Sequence, residues 1–152
     1  MTNQTTTNRF VENYGDGTDG TAPTRDQWER ILARDQSQIV TLVNLFKMHA
    51  TATYLEGEPE HDASQAVSGD TAFARYAQVS MPAMARVGGR FLSVAPHQGA
   101  FLGDEEDWDL IAIGEYPNLD ALVALFEDPE YREAFRHRRA ACARQRVYVV
   151  GH

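Results

Sequence analysis

Apolar and polar positions change period several times along the chain, and each change predicts an element. Residues 39–50, "IVTLVNLFKMHA", open with β-branched and aliphatic side chains in an unbroken run, which predicts a buried strand. The following stretch, 55–70 ("LEGEPEHDASQAVSGD"), is polar with Gly and Pro and reads as a loop. From Asp70 onward, Phe73, Tyr76, Val79, Ala83 and Val87 recur on one helical stripe; Pro82 is expected to kink that helix, and Gly88-Gly89 to end it. "RFLSVAPHQGAFLG" predicts a second strand broken at Pro96, with a bulge near Gly99, and "LIAIGEY" a third strand ended by Pro117. Asn118 offers an N-cap to a helix carrying Leu119, Leu122, Val123 and Phe126. Asp128-Pro129 then restarts the helix as far as about Cys142, and "RVYVV" is the last strand. Upstream, Thr24 and Gln27 form a capping box for a short helix that places Trp28, Ile31 and Leu32 together within residues 23–38. Residues 1–22 are rich in Thr, Asn, Gly and Asp without apolar periodicity, so a flexible or loosely docked arm is expected there.

Taken in order, residues 39–152 read β-α-β-β-α-β, the ferredoxin-like α+β plait, with one four-stranded antiparallel sheet and its helices on one side. The first and third strands are placed as parallel neighbours, so that their C-terminal ends share one edge of the sheet. "IVTLV" and "LIAI" are apolar in both parities, so the helix-free face of the sheet also needs cover. A second copy of the chain, sheet against sheet, is the expected cover, making a homodimer.

The bulk numbers narrow the class. At 152 residues, 43% apolar and 24% charged, the chain suits one globular domain with at most an added arm. Its apolar runs are too short to span a bilayer, and "MTNQTTTNRF" has neither the basic nor the apolar region of a secretory signal, so a cytoplasmic location is expected. Cys142 is the single cysteine, which excludes an internal disulfide and a cysteine-rich metal site. The net charge of −8, with 22 acidic against 14 basic residues, argues against nucleic acid as a partner. Residues 126–150 nonetheless hold six of the thirteen arginines, interleaved with Glu127, Asp128, Glu130 and Glu133, and Lys47 is the sole lysine.

Four segments together carry a resemblance: "VNLFKM" in the first strand, "FARYAQVSMPAMARVGGR" across the first plait helix, "WDLIAIGEYPN" in the third strand and "DPEYREAFRHRRAA" in the last helix. Their combination resembles the family called domain of unknown function 1330, within the dimeric α+β barrel superfamily, over about residues 39–150. The arm, the first helix and the long 55–70 loop fall outside the compact family pattern. The resemblance implies a homodimer whose two sheets form a barrel, with a small-molecule cavity in each subunit between sheet and helices. Relatives in the wider superfamily include monooxygenases, isomerases, cyclases and dehydratases that act on polyketides or aromatic compounds without a cofactor. Haem-binding enzymes and proteins without demonstrated reaction belong to it too, so fold alone does not select a chemistry.

Candidate chemistry follows from placement. With Lys47 and His49 near the end of the first strand and Glu115 near the end of the third, Lys47 and Glu115 are expected to meet. Glu115 is then a general acid or base, or else half of a partly buried pair that fixes register. Asn44 has the opposite parity from Lys47 and shares its face with Phe46 and Met48, where its amide can orient a substrate oxygen. Tyr76 lies on an apolar stripe with a hydroxyl able to reach a cavity. In the last helix, positions 131, 135, 138 and 142 form one stripe, which leaves Arg132, Arg136 and Arg139 largely solvated but turns Arg138 inward, toward an internal carboxylate or an anionic substrate group. His137 is a third acid/base candidate by its titration range, and His97 joins His49 near a possible pocket. No paired-histidine spacing suggests a metal, and "GDGTDG" lacks the strand and Lys-Ser/Thr of a phosphate loop, so no metal, haem, flavin or nicotinamide is expected. The expected activity is a cofactor-free proton transfer (isomerisation, cyclisation or elimination), with oxygenation as a second route, on a polyketide-like or aromatic carbonyl compound. Glu115, Tyr76 and His137 would act as acid/base groups; Asn44, Lys47, Arg138, His49 and His97 would bind the substrate. The rival expectation is a non-catalytic ligand-binding or stress-related accessory protein.

Overall fold

A computed structural model describes residues 2–151. Its elements run α1 (Asn3–Tyr14), α2 (Arg25–Leu32), β1 (Val40–Met48), α3 (Gly69–Arg86), β2 (Arg90–Pro96), β3 (Leu110–Tyr116), α4 (Leu119–Glu127), α5 (Pro129–Ala141) and β4 (Cys142–Val150). Single turns of 3-10 helix at Pro59–His61 and Ala63–Gln65 interrupt the loop after β1. Helix starts are set by side-chain caps. Ser68 accepts from Thr71 N–H at α3, Asn118 from Ala121 at α4 and Asp128 from Glu130 at α5, each satisfying an orphan donor of the first turn. The Thr24–Gln27 capping box of α2 is complete in both directions. Helix α3 continues through Pro82, and both Pro82 and Gln78, whose carbonyl the proline leaves without a donor, are exposed residues of the helix.

The four strands form one sheet in the order β2-β3-β1-β4, with every neighbouring pair antiparallel. Helix α3 carries the chain from β1 to β2, and β3 returns beside β2 and fills the place between them. β1 and β3 are therefore antiparallel rather than parallel. This corrects the expected shared edge: Glu115 lies opposite Thr41 at the start of β1, while Lys47 is near its end, about 20 Å of strand away. Register slips in β2 between Phe91 and Ser93, rather than near Gly99, and in β1 between Lys47 and Met48.

Even-numbered residues of β1 and β3 face the helices; Val40, Phe46, Ala112 and Tyr116 are buried there. Glycine permits one close approach that ties the layers together. A Cβ on Gly69 would stand 2.2 Å from the His49 carbonyl oxygen, so only glycine lets the start of α3 abut the end of β1. The opposite sheet face carries Val43, Leu45, Ile111 and Ile113, all partly exposed, with Tyr148 and Val150 more exposed still.

Residues 3–14, expected within a flexible arm, are instead helical and packed on the body. The apolar periodicity that would have announced α1 is thin. One aromatic anchors it: Phe10 is fully buried, with its ring centroid 4.7 Å from that of Trp28 and 6.0 Å from that of Phe126. Tyr14 adds a hydrogen bond from its hydroxyl to the Phe126 carbonyl at 2.6 Å. Trp28 meets Phe126 edge-on at 4.9 Å, so α1, α2 and α4 share one aromatic cluster. Phe10→Ala is expected to cost about 3–5 kcal/mol in urea unfolding, the usual penalty for emptying a buried aromatic site. An undocked arm would give almost no change.

Candidate functional site

Between the helix-facing side of the sheet and helices α3 and α5 lies a cavity of about 840 Å³. Leu42, Asn44, Ala112 and Gly114 form its floor, and Tyr76, Ser80, Met84, Phe135 and Arg138 come from the helices. The loop after α1 and the inner side of α2, including Trp28 and Ile31, close one wall. Gly114 keeps the floor low: a Cβ there would stand 2.9 Å from Met84 Cε, so the methionine occupies what would be side-chain space. The volume falls in the range of small-molecule sites, roughly 300–1,000 Å³, and the mix of apolar walls with few convergent polar groups is typical of them.

Those polar groups converge on Arg138, which the Tyr131–Phe135–Arg138–Cys142 stripe of α5 turns inward. Its Nε donates to Gln145 Oε1 at 2.9 Å, Nη1 to the Tyr76 hydroxyl at 3.2 Å and Nη2 to Asn44 Oδ1 at 3.4 Å. Aromatic faces embed it further: the guanidinium carbon lies 4.8 Å from the Phe46 ring centroid, 5.6 Å from Tyr76 and 5.7 Å from Phe135. Burial opposes its charge, but Tyr76, Tyr131 and Cys142 around it raise its pKa above the ordinary guanidinium value, and it remains a cation. Asn44 owes its orientation to the sheet. Its Nδ2 donates to the carbonyls of Ala112 at 3.0 Å and Leu42 at 3.3 Å, which leaves Oδ1 for Arg138. Asn44 thus positions the guanidinium and has no N–H to spare for a ligand carbonyl.

A phenol pair stands beside the cation. The Tyr76 and Tyr131 hydroxyls are 2.8 Å apart. Burial, with Tyr76 next to it, raises the Tyr131 pKa well above the ordinary phenol value, so Tyr131 keeps its proton and can donate it to Tyr76. Tyr76 oxygen then accepts from both Arg138 and Tyr131, and its own hydrogen is available to a ligand. Cys142 is buried at the end of the same stripe, and burial pushes its thiol up to about 11, which makes it inert at neutral pH.

The cavity therefore gathers Asn44, Tyr76 and Arg138 among the expected site residues, and not the other five. Glu115 lies on the opposite face of the sheet, bonded to Arg90 at 3.0 Å. Lys47 is on that face too, at the other end, held by Asp107 at 3.1 Å and Asp109 at 3.3 Å. The expected Lys47–Glu115 pair does not form, because antiparallel pairing sends the two strand ends apart. His49 and His97 stand just past strand ends, their backbone N–H groups spent on Ala141 and Asp109 carbonyls, and neither lines the cavity. His137 lies beneath the loop that follows β1: its Nδ1 is 2.6 Å from the Tyr54 hydroxyl and its Nε2 4.0 Å from Glu60. Arg136 pairs with the same Glu60 at 2.7 Å and Arg139 with Glu58, so neither is largely solvated as expected, although Arg136 also lies 3.8 Å from Glu133, one turn away on its own helix. Tyr131 and Gln145 were not singled out from sequence. The stripe shared with Arg138 contains the signal for Tyr131; Gln145 has none, since its place depends on the β1–β4 register. No helix among the described residues is long and apolar enough to cross a membrane, and none of their acidic, histidine and cysteine side chains cluster in a way that could hold a metal ion.

Burial, then the nearby Arg136 charge, lowers the His137 pKa below its ordinary value. The unfolded chain therefore binds a proton more readily, and stability is lost as pH falls from about 6.5 through the lower folded value. His137→Gln is expected to flatten the dependence of melting temperature on pH below about 6.5; an unaltered slope would remove His137 as its source.

Comparisons with known proteins agree with this architecture. No curated protein matches the chain. The crystal structure of methylated RPA0582 protein superposes with a TM-score of 0.76 at 29% identity, over 87% of this chain and 93% of that one. A second crystal structure, of RPA0582, a protein of unknown function from Rhodopseudomonas palustris, gives 0.73 at 29% identity, over 86% and 94%. Those matches extend upstream of the family region itself, in which the signature of the domain of unknown function DUF1330 matches residues 62–152. With its α+β plait and that match over more than half its length, the chain belongs to the DUF1330 family.

Proposed function

We propose that this protein is an enzyme that moves a proton on a small, largely apolar carbonyl compound of polyketide-like or aromatic type, inside the cavity above the sheet. The observation that supports this most is the Tyr131–Tyr76–Arg138 array at the end of an apolar chamber. In the proposed reaction, Tyr76 gives its proton to one atom of the substrate's conjugated system. The resulting phenolate, whose charge the guanidinium 3.2 Å away balances, takes a proton back from a neighbouring carbon. The bonds made and broken cancel, so the net change is an isomerisation; loss of a leaving group in the same step gives elimination, and attack by the transient enolate gives cyclisation. Tyr131, which keeps its own proton, donates a hydrogen bond across 2.8 Å that holds the Tyr76 oxygen in place and helps the guanidinium to stabilise the transient phenolate. Tyr76→Phe is expected to lower kcat by about 10²–10⁴-fold while the fold persists. Glu115→Gln, a change on the other sheet face, is expected to leave kcat within about threefold, since it removes no cavity contact. Equal losses in both variants would overturn the assignment.

Ligand binding without turnover is the second reading. It is favoured by the absence of any Asp, Glu or His from the cavity lining among the described residues, which leaves the phenols as the acid/base groups. Retention of a chemically unchanged ligand through many hours with the wild-type protein would decide for it.

The proposal includes a homodimer. Val43, Leu45, Ile111 and Ile113 make the helix-free face apolar, and a second copy covers it without a foreign partner. Ile113→Lys is expected to give a folded monomer in light scattering; a dimer unaffected by that charge would exclude this face as the interface.

A further inference from the structure

We infer that the cavity takes an anionic ligand, specifically an apolar monocarboxylate whose carboxylate sits on Arg138. The inference rests on the reading of the cavity as a small-molecule site, and adds the charge and headgroup of what enters it. Three observations carry it.

The first is the missing counter-charge. Buried cations are paired or held by acceptors, because an unpaired ion loses its hydration without return. Arg138 has only neutral hydrogen-bond partners: an amide, a phenol and a second amide. Those partners engage one hydrogen on each of its nitrogens, and the second hydrogen on Nη1 and on Nη2 has no acceptor among the described residues. A guanidinium with a hydrogen to spare on each terminal nitrogen can take a carboxylate in bidentate fashion.

The second is the sign of the lining. Arg138 and Arg34 line the cavity, with the exposed Arg30 at its rim, and among the described residues no Asp or Glu does. The chain as a whole has a net charge of −8, so an all-cationic lining runs against its composition. An acidic surface around a cationic chamber lowers non-specific anion binding outside while focusing anions within.

The third is shape. Phe46, Tyr76 and Phe135 enclose the guanidinium, and the chamber continues from them past Met84 and Leu122. The cation is at one pole of an apolar space. A ligand with one charged end and an apolar body matches that division, whereas a dianion or a polyhydroxylated acid would bring polar groups against aliphatic walls. A neutral ligand that covers the guanidinium would displace water from its free hydrogens without supplying a charged acceptor, which is the more costly arrangement.

The test uses 2-naphthoate and its uncharged isostere 2-naphthamide, each titrated into the full-length protein while the fluorescence of Trp28 and Trp108 is followed. Wild-type protein is expected to bind the carboxylate at least tenfold more tightly, and Arg138→Met to abolish that preference while the amide still binds. The wild-type comparison stands alone if Arg138→Met fails to fold, and Arg138→Lys, which keeps the charge but not the fork, is expected to retain part of the preference. Equal or tighter binding of the amide by wild type would overturn the inference yet keep the cavity as a ligand site. Binding of neither probe would overturn both.

Discussion

A guanidinium half-buried among aromatic rings needs an acceptor on each of its nitrogens, and the architecture around Arg138 follows from that constraint. Its desolvation is offset by acceptors from three elements at once: Asn44 from β1, Tyr76 from α3 and Gln145 from β4. None of these three positions is near another in sequence, so the charge is comfortable only when helix, sheet and crossover are all in place. A polar cluster of this kind contributes little to stability by itself, since the cost of burying the cation consumes most of the gain. Its consequence is specificity of arrangement, because any other packing of α5 on the sheet strands the charge.

The chamber beside it survives because its surroundings fill space elsewhere. Gly114 removes a side chain from the floor and lets Met84 lie there. The N-terminal helices supply the wall that the plait lacks: Phe10, Trp28 and Phe126 lock α1 and α2 to α4, and Trp28 presents its other side to the cavity. The family region begins at residue 62, so this wall is built by chain that lies before it. The shape of the chamber thus depends on a segment distinct from the one that carries the phenols and the cation.

Charge is divided between two surfaces with different work. Toward the cavity, α5 presents one cation without an acid. Away from it, Arg136 and Arg139 clasp Glu60 and Glu58 in the loop after β1, with His137 wedged against Tyr54. The outer pairs are partly solvated, and each exchanges modest Coulomb attraction for the ordering of two long side chains. What they accomplish is the docking of a twenty-residue polar loop that has little apolar surface of its own.

Local pattern was enough to place the strands, the two capped restarts at Asn118 and Asp128, and the inward direction of Tyr76 and Arg138, because each depends on spacing within one element. Strand parity likewise separated Asn44 from Lys47. The Lys47–Glu115 pairing was misjudged because strand direction is a property of the whole crossover: once β3 returns between β1 and β2, antiparallel pairing carries Glu115 to the opposite end. Helix α1 escaped notice since a single buried aromatic makes no period, and Gln145 since its register is fixed only by pairing with β1. Sequence by itself determined which side chains face inward from their own helix or strand, through the 3.6- and 2-residue repeats of the backbone. Only the tertiary structure decided which of them share one space, because that depends on strand order and on desolvation, and neither has a local signature.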